Sequence, residues 1–244
     1  MKSECFNNLY IYLNSLYLLF IFMLKYFKIY IGGVERMKKN YKHIIFFDTE
    51  FISTRRKNQP IEISLIAYDI DGLELKYDKS FSTYILLEKG TYLNKYVTAF
   101  TGIDDVVLDK YGIRIKEAKE QFLYFLLNYS PRDTLLAGWS ISNDLTMFDI
   151  LVNKDETTFD LSIFDWYDVS SAFKVYYSKN KNETPSLSNA CKMIGMEDLG
   201  FHDSLVDAEA TKLVMEFLLK EKGKEDIINS NYICKVKKKK VKVG

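Results

Sequence analysis

Lys42-His43-Ile44-Ile45-Phe46-Phe47-Asp48-Thr49-Glu50-Phe51-Ile52 decides how the rest of the chain is read. His43 to Phe47 is a short, continuously apolar run, which suits a strand buried on both faces of a sheet. Asp48 and Glu50 follow at the end of that strand. Alternation along a strand sends both carboxylates to one face, where their oxygens can converge on one point. Two carboxylates held a few ångströms apart repel, so one takes a proton unless a cation sits between them. Oxygen ligands suit Mg²⁺ or Mn²⁺ rather than zinc. Taken alone, the pair is better explained by an Asp that ends a strand and a Glu that faces water.

The flanking sequence builds a sheet around this strand. Lys57 to Pro60 reads as a polar turn, and Ile61 to Ile70 as a second strand. Asp71-Gly72 is a hairpin signal into a third strand that resumes at Leu73 and continues through Phe81 to Leu87. Thr91 to Phe100 reads as a short helix ending at Gly102, where Gly suits the left-handed cap. Ile115, Ala118, Phe122, Phe125 and Leu126 mark an amphipathic helix that ends before Pro131. Thr134 to Trp139 is another buried strand, followed by a helix over about Ser142 to Val152. A short strand falls within Phe159 to Val169, a polar loop spans Lys179 to Pro185, and a short helix runs from Leu187 to Ile194, closed by Gly195. The last helix covers about Ser204 to Lys220, with Val206, Ala210, Leu213 and Phe217 as its expected inner stripe. Three strands in a meander, then helices alternating with strands, predict an α/β fold with a mixed sheet.

Composition bounds the function. The chain has 244 residues, enough for one domain with extensions, with 48% hydrophobic and 27% charged residues. A net charge of +1 excludes a polycation that coats nucleic acid by charge alone. Cys5, Cys191 and Cys234 are odd in number and far apart. They form neither a zinc motif nor a disulfide framework, so a reducing cytoplasm is the expected compartment. Residues 1–36 form an apolar extension, in which Leu9 to Leu24 is too short for an ordinary spanning helix of roughly 20 residues. It reads either as sequence upstream of a true start at Met37 or as a membrane anchor, and no membrane association is expected unless residues 9–24 provide it. Residues 37–225 form the main domain. Residues 226–244 form a Lys-rich tail whose last ten residues carry six lysines; the tail either adds phosphate contacts or is a solvated extension.

Two further segments supply acids. In Ala137-Gly138-Trp139-Ser140-Ile141-Ser142-Asn143-Asp144-Leu145, Asp144 falls in the first turn of a helix, at the carboxyl end of the sheet where α/β proteins gather ligands. Taken alone, helix capping is the better explanation of it, and Asp149 is a rival candidate further along. In His202-Asp203-Ser204-Leu205-Val206-Asp207-Ala208, a loop His stands just before the last helix and Asp207 emerges about one turn in. Both can lean over one cavity, and a loop His near its ordinary pKa is suited to take a proton. An exposed His beside a solvated Asp is the plainer reading of that pair alone.

The joint order of Asp-x-Glu, a mid-chain Asp and His-x4-Asp resembles the DEDDh branch of the DnaQ-like 3′→5′ exonucleases. The resemblance spans about residues 42–220. Thr101-Gly102-Ile103 looks like the family's Thr-Gly-Ile, and Leu187-Ser-Asn-Ala-Cys-Lys-Met-Ile-Gly195 like its short helix before the last motif. Trp139 with Asp144-Leu145 is closer to the ERI-like exoribonucleases and their KapD-like relatives than to DNA proofreading subunits. The resemblance implies a ribonuclease-H-like fold, a mixed sheet flanked by helices. It also implies two divalent ions, Mg²⁺ or Mn²⁺, held by Asp48, Glu50, Asp144 and Asp207, with His202 as general base and 5′-nucleoside monophosphates as products. The implied partner is the 3′ end of single-stranded RNA or DNA. Phe51 and Ile52 follow the first motif where the family often has smaller polar residues, so they either wedge the terminal bases or pack in the core. A proofreading subunit and a non-catalytic nucleic-acid-binding module on the same scaffold are the alternatives; loss of any of the four carboxylates would favour the latter, and none is lost.

Overall fold

The computed structural model describes residues 40–53, 58–153, 159–177, 183–196, 200–228 and 233–234. The apolar run 9–24, Met37, most of the polar loop at 179–185 and the lysine-rich end of the tail lie outside the described residues.

The sheet has six strands in the order β3-β2-β1-β4-β5-β6. Strands β1 (His43–Ser53), β2 (Asn58–Asp71) and β3 (Glu74–Tyr84) form the antiparallel meander. Strands β4 (Thr134–Gly138) and β5 (Asp165–Asp168) then add in parallel beside β1. The edge is closed by β6 (Ile233–Cys234), antiparallel to β5. This is the mixed, ribonuclease-H-like sheet that the sequence predicts. The β2–β3 turn is Gly72-Leu73, one residue later than expected, with Gly72 at φ 65° in its first position. A two-residue hairpin turn with a positive first φ favours glycine there.

Helices cover both faces: α1 (Lys95–Thr101), α2 (Asp105–Tyr111), α3 (Ile115–Leu127), α4 (Ser142–Val152), α5 (Val169–Tyr177), α6 (Leu187–Met193), α7 (Ser204–Lys222) and α8 (Lys224–Ile228). The Phe159 to Val169 segment, expected to hold a strand, contains a single 3-10 turn and only the four residues of β5; α5 follows at once.

Period-2 alternation along β1 divides the core. Ile44 and Phe46 face one layer, packed with Ala208, Ala210, Val214, Met215 and Leu218 of α7. Ile45 and Phe47 face the other, packed with α3 and α4. Phe47 meets Phe148 and Trp166 edge-on, with ring centroids at 5.2 and 5.4 Å, and each such buried aromatic contributes about 1.5–3 kcal/mol. Gly138 makes this close approach possible: a Cβ there would lie 2.6 Å from the Phe47 ring and 2.9 Å from Ile141. Gly138→Ala is therefore expected to destabilise by about 1–3 kcal/mol, measured as a lowered midpoint in urea.

Two expectations need correction. The Asp48-Thr49-Glu50 segment does not end a strand: β1 runs on to Ser53 because β2 pairs with it throughout, while β4 stops at Gly138 and leaves that side of β1 open beyond Phe46. The inner face of α7 is Ser204, Ala208, Thr211, Met215 and Leu218 with Ala210, Val214 and Leu219. Of the expected stripe only Ala210 is fully buried. The helix is apolar around more than half its circumference, so spacing alone does not fix which stripe meets the sheet.

Candidate active site

Where β4 ends, the open edge of β1 meets the first turns of α4 and α7. Asp48 and Glu50 project from β1 to the α7 side, as alternation requires, and Thr49 points to the α4 side. A register shift between Glu50 and Phe51 follows immediately, and such a bulge re-aims the residues beyond it. Glu50 is 9% exposed.

Asp144 is the third residue of α4, 6% exposed, and Thr49 Oγ1 donates to its Oδ1 at 2.7 Å. The turn that delivers it is held from β5. Asp168 Oδ1 accepts from the backbone N–H of Ser140 at 3.0 Å and of Ser170 at 3.1 Å, and its Oδ2 accepts from Ser171 Oγ. Ser140 itself sits at φ 55°, a conformation that a non-glycine residue keeps only when its surroundings over-determine it. Asp149, the rival, lies half-buried further along α4 and accepts from Asn153 Nδ2 at 2.7 Å. It is not among the groups that raise Asp48 most, whereas Asp144 is the first of them.

Asp203 caps α7, accepting the N–H groups of Leu205 and Val206 at 3.0 Å each, and Asp207 follows one turn in. His202, in the preceding loop, has φ 77° and lies against Phe100, with ring centroids 3.6 Å apart at 33°. Its N–H donates to Asp207 Oδ2 at 3.4 Å. Ligand atoms of Glu50, His202 and Asp207 all lie within 4.8 Å of one another.

Burial and neighbouring carboxylates raise Asp48, Glu50, Asp144 and Asp207. Asp48 stands well above the ordinary carboxylate range, first through desolvation and then through Asp144, Asp207, Glu50 and Glu62. Glu50 is pushed up to about 8 by burial, Asp207 and Glu62. Asp144 and Asp207 each reach about 6, driven by burial; the hydrogen bond from Thr49 holds Asp144 back, and the one from the His202 backbone holds Asp207 back. Burial lowers His202, which keeps the imidazole neutral and able to accept a proton. Asp207 Oδ1 is buried and has no hydrogen-bond partner among the described residues. Converging carboxylates with an unpartnered oxygen fit divalent cations, which would relieve the repulsion that burial has amplified.

The structure thus brings Asp48, Glu50, Asp144, His202 and Asp207 together. Phe51 is half-buried beside them. Ile52 is not available as a wedge: it is 1% exposed and packs with Ile61, Ile103 and Leu108 in a third small core. Ile52→Ala is accordingly expected to cost about 2–5 kcal/mol of stability, and Phe51→Ala to weaken oligonucleotide binding by about 5- to 100-fold with little change in thermal midpoint. Fluorescence titration and thermal melts separate the two.

Sequence reasoning missed Glu62, Phe100 and Asp168. Glu62 is 3% exposed and pairs with Glu50 across the β1–β2 ladder. An acid at an alternate position of an otherwise apolar strand was the signal, since Glu is almost never fully buried without a partner. Phe100 left a trace only in its place just before Thr101-Gly102, and Asp168 left none beyond closing β5.

Over residues 45–215 the chain matches the exonuclease family RNase_T. Three solved structures share the fold. A full-length 3′-exonuclease is 17% identical at a TM-score of 0.60, with 78% of this chain and 64% of that one covered. The nuclease domain of 3′hExo, a DEDDh family member bound to rAMP, is 15% identical at 0.63, with 76% and 96% covered. Exonuclease I of E. coli, bound to a dA16 oligonucleotide, is 15% identical at 0.63, with 74% and 41% covered. This chain therefore spans 64% of the first of these proteins. No curated protein matches the sequence. Among the described residues no helix is long and apolar enough to cross a membrane.

Proposed function

The chain belongs to the RNase_T exonuclease family, and on that basis we propose that it removes nucleotides one at a time from free 3′ ends of single-stranded nucleic acid, by metal-dependent hydrolysis. The observation that carries this reading is the convergence of Glu50, His202 and Asp207 within 4.8 Å, with Asp144 among the charges that raise both Asp48 and Glu50, and Asp207 and Glu50 themselves raising Asp48.

Asp48, Glu50 and Asp207 would hold one divalent ion, Mg²⁺ or Mn²⁺, and Asp48 with Asp144 the second. When bound, the pair of ions supplies a water acidic enough to ionise near neutral pH and neutralises charge on the phosphate. The chain's own residues do the rest. A neutral ring nitrogen of His202 accepts the proton of the attacking water, whose oxygen bonds to the last phosphorus. The P–O3′ bond breaks, its electron pair stays on the penultimate O3′, and that oxygen takes up a proton. The products are a 5′-nucleoside monophosphate and a chain shortened by one residue with a new 3′-hydroxyl.

Phe51, half-buried beside the acids, supports a role in stacking on a terminal base, which would hold a single strand without reading its sequence. The lysine tail would add salt-sensitive attraction to phosphates. The neighbours include 3′hExo bound to rAMP and Exonuclease I bound to DNA, so RNA and DNA oligomers are both to be tested. The resemblance of the second motif to the ERI-like enzymes favours RNA. The experiment is Mn²⁺-dependent digestion of linear and circular single strands of each kind. Shortening of linear substrates alone supports the proposal; cutting of circles would replace it with an endonuclease.

A further inference from the structure

The strand beside the catalytic one carries an acid with a different set of partners. Glu62 stands across from Glu50 in the β1–β2 register, and Ser64 stands across from Asp48. Both reach the same residue, Ser204, which opens α7 and is wholly buried. The backbone N–H of Ser204 donates to Glu62 Oε2 at 3.1 Å, and the hydroxyls of Ser204 and Ser64 lie 2.6 Å apart. The Tyr84 hydroxyl adds a further hydrogen bond to Glu62.

The helix does not need Glu62 to complete its own start. The first N–H groups of a helix lack partners within it. Asp203 already takes those of Leu205 and Val206 through its side chain, and that of Asp207 through its carbonyl. The N–H of Ser204 is left over by these, and it is directed out of the helix onto β2. That contact and the Ser64–Ser204 hydroxyl pair tie the start of α7 to β2, and so join the two halves of the acidic site. Asp48 and Glu50 ride on β1, which is locked to β2 by the sheet; His202 and Asp207 ride on the segment that begins at Ser204.

We propose that Glu62 is a positioning residue: by holding the Ser204 N–H it fixes the start of α7 on the sheet, and so sets His202 and Asp207 in register with Asp48 and Glu50. This rests on the function proposed above. Glu62 touches neither substrate nor metal in this account; it acts through the residues that do, as outer groups around metal sites commonly act.

Three variants test it. Glu62→Ala removes the acceptor. Glu62→Gln keeps a carbonyl oxygen for the N–H but loses the charge. Ser204→Pro deletes the N–H, and with it the hydroxyl that meets Ser64 and Glu62, at the first helical position, where proline is well tolerated; Asp203 before it is already extended, at φ −115° and ψ 124°, as a residue before proline must be. The measurements are kcat on a single-stranded oligomer at saturating Mn²⁺, Mn²⁺ affinity by calorimetry, and amide exchange over the first turn of α7 in metal-free protein.

Glu62→Ala and Ser204→Pro are expected to lower both kcat and Mn²⁺ affinity by about 10- to 100-fold. Faster exchange should be confined to the first turn of α7, and Glu62→Gln should recover at least about tenfold of the kcat loss. Full activity and Mn²⁺ affinity in either the Ala or the Pro variant would overturn the proposal. So would a Gln variant as impaired as Ala, which would assign the effect to charge. Should the Ala variant fail to fold, the Gln and Pro variants decide by the same criteria. An Asp207→Asn protein that stays active defeats the underlying function; an inactive one beside a fully active Glu62→Ala defeats this inference alone.

Discussion

Asp48→Asn and Asp207→Asn are each expected to lower turnover of a single-stranded oligonucleotide by at least about a thousandfold, with the fold unchanged by circular dichroism. Each substitution keeps the volume and some hydrogen-bonding capacity while removing the charge that a divalent cation would need. The buried Oδ1 of Asp207 makes that position the sharper of the two, since nothing else among the described residues occupies that oxygen. His202→Ala should cost about 10²–10⁴-fold, the usual worth of a general base, and should leave Mn²⁺ binding measurable. Asp144→Asn should fall with the other acids. Asp149→Asn, at a half-buried position bonded to Asn153, should change turnover by less than about threefold. Steady-state rates on a 3′-labelled oligomer distinguish these outcomes.

The second large effect is on stability. In metal-free protein Glu50 is raised from 4.5 to about 8, and Asp144 and Asp207 from 3.8 to about 6. The folded state therefore binds more protons than the unfolded chain between about pH 4 and 8, so stability falls as pH rises through that window. A shifted group costs up to about 1.4 kcal/mol for each pH unit it spans, and a domain of this size loses about 2–4 °C per kcal/mol. Between pH 5 and 8 the metal-free protein should thus melt highest at pH 5 and lowest at pH 8. Mn²⁺ binds the ionised acids of the folded state, so it should raise the midpoint at pH 8 far more than at pH 5. Asp207→Asn should make metal-free protein more stable at pH 8 and blunt the response to Mn²⁺. A flat melting profile from pH 5 to 8 would contradict this electrostatic picture. Differential scanning fluorimetry with chelator or Mn²⁺ provides the test.

Much of this architecture was legible in the sequence because single elements carry strong signals. The apolar run into Asp48, the turn around Gly72 and the cap at Gly102 each have one physical solution, and the sheet followed from them. Motif order brought His202 and Asp207 to Asp48 and Glu50, because resemblance supplied the long-range proximity that spacing along one chain cannot.

What stayed hidden depends on tertiary partners. The length of β1 beyond Phe47 depends on β2 pairing alongside it, and the burial of Ile52 depends on Ile61, Ile103 and Leu108, which come from β2 and the α2 region. The inner face of α7 is not fixed by spacing, because the helix is apolar over too wide an arc to declare one stripe. Asp144 could be told from Asp149 only once Thr49 was seen to reach it. Glu62 looked like one more strand residue until Ser204, 142 positions away, was found on it.

The most direct test of the central claim is first-turnover release from a single-stranded oligonucleotide labelled at one end, in Mn²⁺, by wild-type and Asp207→Asn protein. A 3′ label should appear at once as a mononucleotide, and a 5′ label should remain on a ladder that shortens one residue at a time, with neither product formed by the variant. Early release of a 5′-labelled mononucleotide, internal fragments, or unimpaired digestion by the Asp207→Asn protein would contradict a 3′→5′ exonuclease built on these carboxylates.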